Sequence, residues 1–151
     1  MGDSQVYLRK VESEDIDLLF GWANDHLVRE NSFNSDPIPY EDHTAWFERM
    51  MNDETVLQFI MMLGSIPIGQ IRLNVEGNEA EIGYSISSEY RGKGYGRLIL
   101  NLLKDEISLN YPNIHVLKAR VKPDNEASNR LFITEGFSTD CICYSYNLNS
   151  N

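Results

Sequence analysis

The segment from Arg91 to Arg97, RGKGYGR, sets Gly92, Gly94 and Gly96 among three basic residues, and a helix-forming run follows it directly. A glycine turn ahead of a helix is a device for holding phosphate. The first amides of a helix have no partner inside it, and the helix dipole favours an anion at that end. The glycines let the backbone turn tightly and approach a ligand with no Cβ in the way, while Arg91, Lys93 and Arg97 add positive charge. The spacing is not that of a P-loop, whose last glycine is followed by a Lys-Ser/Thr pair that places Mg²⁺. Nor is it the dinucleotide fingerprint, because the strand before it belongs to a run of successive strands and does not open a strand-helix-strand unit.

Charge is segregated around this loop. The chain of 151 residues carries a formal net charge of −10, yet the window from Arg91 to Arg130 holds eight basic and four acidic residues. That distribution points to an anionic ligand on the basic stretch and leaves the acidic remainder for a cationic one. The overall acidity argues against a general nucleic-acid binder, which needs a basic surface to displace counterions. No metal site is expected, since His26, His43 and His115 are scattered without ligand spacing. Cys141 and Cys143 stand two apart on one face of an alternating run, a poor geometry for bridging each other, and read as free, packed thiols. No apolar run approaches the roughly 20 residues of a membrane span, and the start MGDSQVYLRK lacks the apolar stretch of a signal peptide. A soluble, cytoplasmic protein with no membrane partner is the expectation.

The elements that must position the loop follow from periodicity. Val6, Leu8 and Val11 mark a strand, and Ser13 opens a capped helix over SEDIDLLFGWAND. Asn31 to Tyr40, with two prolines, reads as a loop, and Ala45, Trp46, Met50 and Met51 define a second helix from Glu41 to Met51. VLQFIMMLG, IPIGQIRLNV and EAEIGYSIS are three successive strands, most simply an antiparallel meander. After the glycine loop, RLILNLLKDEISLNY is an amphipathic helix, IHVLKARV a strand, NEASNRLFITEG a short helix ended by Gly136, and FSTDCICYSYNL a final strand. The order βααβββαβαβ, without repeat or linker, predicts a single α+β domain over residues 1–151 with a mixed central sheet flanked by helices.

RGKGYG matches Arg/Gln-x-x-Gly-x-Gly/Ala, and NEASNRLFITEGF has an Asn, a short helix and Gly-Phe in the right order and separation behind it. Together they resemble the two signatures of the GNAT superfamily of acetyl-CoA-dependent N-acetyltransferases, and the element order resembles that fold along nearly the whole chain. The resemblance implies that the amides of Lys93, Gly94, Tyr95, Gly96 and Arg97 take the pyrophosphate of CoA, with Arg91 or Arg97 side chains assisting. It implies that the backbone of Ile86 and Ser87 pairs with the pantetheine arm where the strand before the loop and IHVLKARV splay apart. Asn125 and Asn129 would contact the cosubstrate from the next helix.

An amine attacks a thioester only when unprotonated, so such an enzyme needs a route for a proton off nitrogen and often one onto sulfur. Glu81 resembles in position the glutamate that many GNAT enzymes use as general base. Alternation puts Glu81, Gly83 and Ser85 on one strand face and Ile82, Tyr84 and Ile86 on the other, so a merely outward-facing carboxylate is the competing reading. The residue matching the family's tyrosine general acid is Phe132, a departure that leaves Tyr84, Tyr144 or water as the donor and makes Phe132 packing beside the sulfur. A thiol with pKa about 8.5 is a fair leaving group without an acid.

The stretch from Trp22 to Phe47 resembles acetyltransferases that modify the 4-amino group of nucleotide-linked sugars in pseudaminic-acid-type pathways, through Trp22-Ala23-Asn24-Asp25, Val28-Arg29, Ser32-Phe33 and His43-x-x-Trp46-Phe47. Phe33, Trp46, Asn24, His43 and Arg29 can supply the stacking surface, the hydrogen bonds and the cation that a nucleotide sugar needs. Trp46 as core packing and His43 as a satisfied histidine are the competing readings. The function expected is acetyl-CoA-dependent N-acetylation of a small amine, probed against a protein N-terminal acetyltransferase and a degenerate acyl-CoA-binding module. Homodimerisation through the β-rich final strand is the one oligomeric route the sequence offers.

Overall fold

The computed structural model describes residues 5–139. Its strands are β1 (Val6–Lys10), β2 (Val56–Leu63), β3 (Ile66–Glu76), β4 (Glu79–Ile86) and β5 (Val116–Ala119), and they form one sheet in chain order. β2 to β4 pair antiparallel, as the meander predicts, β1 pairs antiparallel with β2, and β5 joins β4 parallel, so the sheet is mixed. The expected strand IHVLKARV is regular only over Val116–Ala119. The final expected strand, with Cys141, Cys143 and Tyr144, lies from position 140 onward outside the described residues.

Alternation in the strands sorts the side chains onto two cores. Phe59, Met61, Ile71, Leu73 and Ile82 pack on one face against Ile99, Leu100 and Leu103 of α4 (Tyr95–Asn110). Ile60 and Met62 pack on the other against Leu19, Phe47 and Met50, from α1 (Ile16–Ala23) and α3 (Tyr40–Met51). Burying each such Leu, Ile or Phe stabilises by about 1.5–3 kcal/mol, so the start of α4, and with it the glycine loop, is held firmly on the sheet. No helix among the described residues is long and apolar enough to cross a membrane.

The amino-terminal region departs from expectation in two ways. α1 is preceded by a 3-10 turn, Ser13–Asp15, that starts at Glu12 and not at Ser13: Asp15 accepts from the Glu12 amide at 2.7 Å and pairs with Arg9 at 2.8 and 2.9 Å. A separate short helix, α2 (His26–Asn31), then follows, capped by Asp25, whose carboxylate accepts from the amides of Leu27 and Val28. The apolar pattern in those six residues is too short to announce a helix, which exists because Asp25 satisfies its first amides.

The feature that makes a site is the parting of β4 and β5. Their register ends at Ile82 opposite Ala119, whereas β4 continues to Ile86, still paired with Gly69 of β3 on its other side. The sheet is therefore open on one side of β4 over its last residues. α5 (Glu126–Thr134) and the first turn of α4 flank the opening on one sheet face, and α2 flanks it on the other.

Candidate active site

Gly94 caps α4 with a φ of 88°, and Gly92 precedes it with a φ of 73°. Both sit in the left-handed region, where a side chain is strained, and neither position is crowded by neighbouring atoms, so the backbone is bare toward solvent. A Cβ on Gly96 would meet Leu131 at 3.2 Å, which ties the loop to α5. Arg91 donates through Nε to the Ile86 carbonyl at 3.0 Å and through Nη2 to Asp25 at 2.7 Å. Arg97 pairs with Glu135 at 2.9 Å, and the Lys93 ammonium lies 5.6 Å from the centre of the Tyr90 ring.

From this loop a cleft of about 790 Å³ runs through the opening between β4 and β5 to the opposite sheet face. On the α5 side its wall is Tyr84, Ser128, Leu131 and Phe132. The Tyr84 hydroxyl is 2.8 Å from that of Ser128, and its ring meets Phe132 edge to face with centroids 6.0 Å apart. Burial holds the Tyr84 phenol above its ordinary value, against the opposing effect of Ser128. On the α2 side the cleft is floored by Glu81, Gly83 and Ser85 of β4 and by Arg72 of β3, and covered by Val28, Ser32 and Phe33. The Glu81 carboxylate accepts from Arg120 Nε at 2.9 Å, and the Arg120 guanidinium lies 5.5 Å from the centre of the Phe33 ring.

The structure gathers Glu81, Ile86, Arg91, Gly94, Tyr95, Gly96, Arg97, Asn125 and Phe132 along this one cleft, with Arg29 and Phe33 at the end where an acceptor is expected. Other expected contacts stand elsewhere. The Ser87 amide donates to Ile68 of β3 at 2.8 Å, so by the alternation of an antiparallel ladder it is Tyr84 and Ile86 that turn backbone groups to the open side. Asn129 donates to the carbonyls of Lys122 and Asn125 at 2.9 Å and closes the turn into α5. The Lys93 ammonium stands over Tyr90, outside the cleft lining, while its amide, the group expected to bind, belongs to the glycine loop.

Three residues expected to bind an acceptor are builders of the fold. His43 is buried, bonded through Nε2 to the Ile16 carbonyl at 2.8 Å, and packed between Phe20 and Trp46. Trp46 packs against the Ile60 core. Asn24 clasps the backbone of Ile38 with bonds of 3.0 and 2.7 Å. Arg29 reaches the cleft, but its guanidinium is taken by the carbonyls of Ala23, Asn34 and Asp36 and the hydroxyl of Ser32. Asn24 and Arg29 thus shape the loop that presents Phe33.

Arg72, Arg120 and Ser128 were not among the expected site residues. Arg72 and Glu81 share a sheet face because each lies an even number of positions from the register pair Arg72 and Gly83, a relation that needs the pairing of β3 with β4. Among the described residues no group of three or more His, Cys, Asp or Glu side chains is placed to hold a metal ion.

Residues 5–138 match the family described as acetyltransferase (GNAT) domain. An uncharacterized N-acetyltransferase, p20, of Bacillus licheniformis is 26% identical over 94% of this chain and 84% of its own length. Spermidine N(1)-acetyltransferase of Vibrio cholerae is 22% identical over 89% of this chain and 80% of its own. A crystal structure of the Vibrio cholerae spermidine N-acetyltransferase, in complex with CoA and spermine, superposes with a TM-score of 0.82 at 22% identity, over 91% of this chain and 83% of that one. An aminoglycoside acetyltransferase in complex with coenzyme A superposes with a TM-score of 0.76 at 21% identity, over 90% and 86%. At such identities the superpositions carry the fold alone. With the family match spanning the sheet, the glycine loop and α5 together, the chain belongs to the GNAT family of N-acetyltransferases.

Proposed function

We propose that this chain transfers an acetyl group from acetyl-CoA to the primary amine of a small acceptor, and that the acceptor is the 4-amino group of a nucleotide-linked deoxy sugar. The observation that carries the reading is the continuity of the cleft from the bare glycine loop, through the opening beside β4, to the Glu81 carboxylate. The loop suits a pyrophosphate because Gly92 and Gly94 keep their positive φ with open space where a Cβ would stand. The opening suits an extended amide-bearing arm, because Tyr84 and Ile86 present backbone groups there.

Acetyl-CoA supplies the activated acyl group as a thioester. Glu81 takes the proton from the attacking amine, directly or through water, as the N–C bond forms and the C–S bond breaks. Tyr84, its hydroxyl held by that of Ser128, gives a proton to the departing sulfur and regains one from solvent after product release, the role that Phe132 has no hydroxyl to perform. Phe33, exposed at the mouth with Arg120 against its face, offers a stacking surface for a nucleotide base. That support does not depend on Asn24, His43 or Trp46.

The test is thiol release from acetyl-CoA with a panel of nucleotide-linked amino sugars, N-terminal peptides, spermidine and an aminoglycoside. Turnover of the nucleotide sugars supports the reading. Turnover of peptides alone replaces it with protein N-terminal acetylation, and tight CoA binding without transfer to any amine would make the chain an acyl-CoA-binding module.

A further inference from the structure

Five arginines line the cleft, and four of them are committed among the described residues. Arg29 serves the loop oxygens, Arg91 the Ile86 carbonyl and Asp25, Arg97 the Glu135 carboxylate and Arg120 the Glu81 carboxylate. Arg72 differs: among the described residues it makes no hydrogen bond and has no carboxylate within the 4.0 Å of an ion pair. It is nevertheless half-buried, at the floor of the acceptor end. Its guanidinium carbon lies 5.6 Å from the centre of the Trp46 ring, and a Cβ on Gly83 would come within 3.7 Å of Nη2. The group is thus laid across β4 and oriented by an indole, with its charge offset by no partner of its own.

We propose that Arg72 is the recognition group for an anionic substituent, a carboxylate or a phosphate, carried by the amine acceptor. The proposal rests on the acetyl-transfer reading and narrows its acceptor. A desolvated cation without an ion-pair partner is costly, and a ligand anion removes that cost on binding. The planar fork suits a bidentate oxyanion, and the Trp46 face keeps the fork from turning away. Burial lowers the proton affinity of Arg72 while the nearby charge of Glu81 raises it, and an arginine stays charged under either influence. Glu81 is paired with Arg120 and Arg29 meets only carbonyls and a hydroxyl, so the acceptor end sets Arg29, Arg72 and Arg120 against the one Glu81 carboxylate and is positive. That field disfavours a polyamine such as spermidine and favours an amine that carries its own anion.

The test uses the full chain saturated with CoA, so that the glycine loop is occupied, and titrates it calorimetrically with glutarate, inorganic pyrophosphate and spermidine. At least one dianion should bind more tightly than spermidine, and which one it is tells a carboxylate from a phosphate source. R72Q should weaken that dianion by about tenfold or more, and R72K should recover part of the loss, with CoA affinity unchanged in both. Spermidine binding the unaltered chain more tightly than either dianion, or neither dianion binding, overturns the proposal without recourse to any variant. Equal anion affinity in R72Q and the unaltered chain overturns it as well. Turnover separates the two readings. Acetylation of amines with no advantage for those bearing an anion sinks the Arg72 proposal alone, whereas Arg72-dependent anion binding with no acetyl transfer sinks the transferase reading alone.

Discussion

Arg91 Nη2 lies 2.7 Å from a carboxylate oxygen of Asp25, 66 positions away, and so joins the first residue of the glycine loop to the cap of α2. One guanidinium thereby ties the end of β4 to the element that covers the acceptor end. R91A should lower stability by about 1–3 kcal/mol in urea denaturation, because it removes a charge-assisted bond and leaves the Asp25 carboxylate half-buried. The pH dependence has a definite sign. Burial alone would raise Asp25, but the Arg91 bond and the amides of Val28 and Leu27 outweigh it and hold the carboxyl below its ordinary value. Its contribution is then fully present above the unfolded value of about 3.9 and lost as pH falls through the lower folded one. The stability difference between the unaltered chain and D25N should shrink over that acidic window and persist at neutral pH.

Gly94 and Lys93 should separate a backbone cradle from a side-chain one. Gly94 has a φ of 88°, so a valine there is strained by conformation and not by collision. G94V should weaken CoA binding by at least about tenfold in calorimetric titration, whereas K93A removes an exposed charge and should cost no more than about threefold. The reverse order would refute a cradle made of amides.

For Glu81, E81Q keeps shape and hydrogen-bonding capacity while deleting basicity. It should lower kcat by about 10²–10⁴-fold at neutral pH with CoA affinity unchanged, and activity should partly return as pH rises and more amine is already neutral. Near-normal turnover of E81Q across pH, with the true acceptor, would remove Glu81 from proton transfer. Because His43 is bonded to the Ile16 carbonyl inside the core, the proton would then leave by solvent.

Tyr84 should behave as an acid. Burial holds its phenol above the ordinary value, so it is protonated throughout the neutral range and any loss of activity from its ionisation falls at strongly alkaline pH. Y84F should reduce kcat by about tenfold, less than a general acid with a poor leaving group, while melting temperature and CoA affinity stay within error. S128A, which removes only the partner at 2.8 Å, should cost less than Y84F. A Y84F chain with undiminished kcat assigns the proton to water.

The glycine loop and the meander were legible because each is local. Positive-φ turns need glycine, and period-2 alternation alone sorts Ile82, Tyr84 and Ile86 from Glu81, Gly83 and Ser85. The acceptor end was not, for a chemical reason: arginine, asparagine and histidine use the same bonds to bind a ligand and to bind a backbone. Arg29 and Asn24 spend theirs on Ile38, Asn34 and Asp36, which no spacing reveals. Arg72 is not legible because its relation to Glu81 passes through a strand pairing, and Asp25 because its partner is in another third of the chain.

The parting of β4 from β5 also bears on what the protein avoids. An unpaired stretch of strand at a molecular surface is a template on which a second chain can add itself. Here it is sunk between α5 and α2, with Phe132 on one side and Phe33 on the other. A foreign β-strand settles about 4.8 Å from its neighbour and carries side chains alternately to both faces, where these walls would collide with it. An unbranched chain, with amides but little breadth, suits the slot better. The opening thereby admits a slender amide-bearing arm and turns away the polypeptide that would otherwise aggregate along the same backbone.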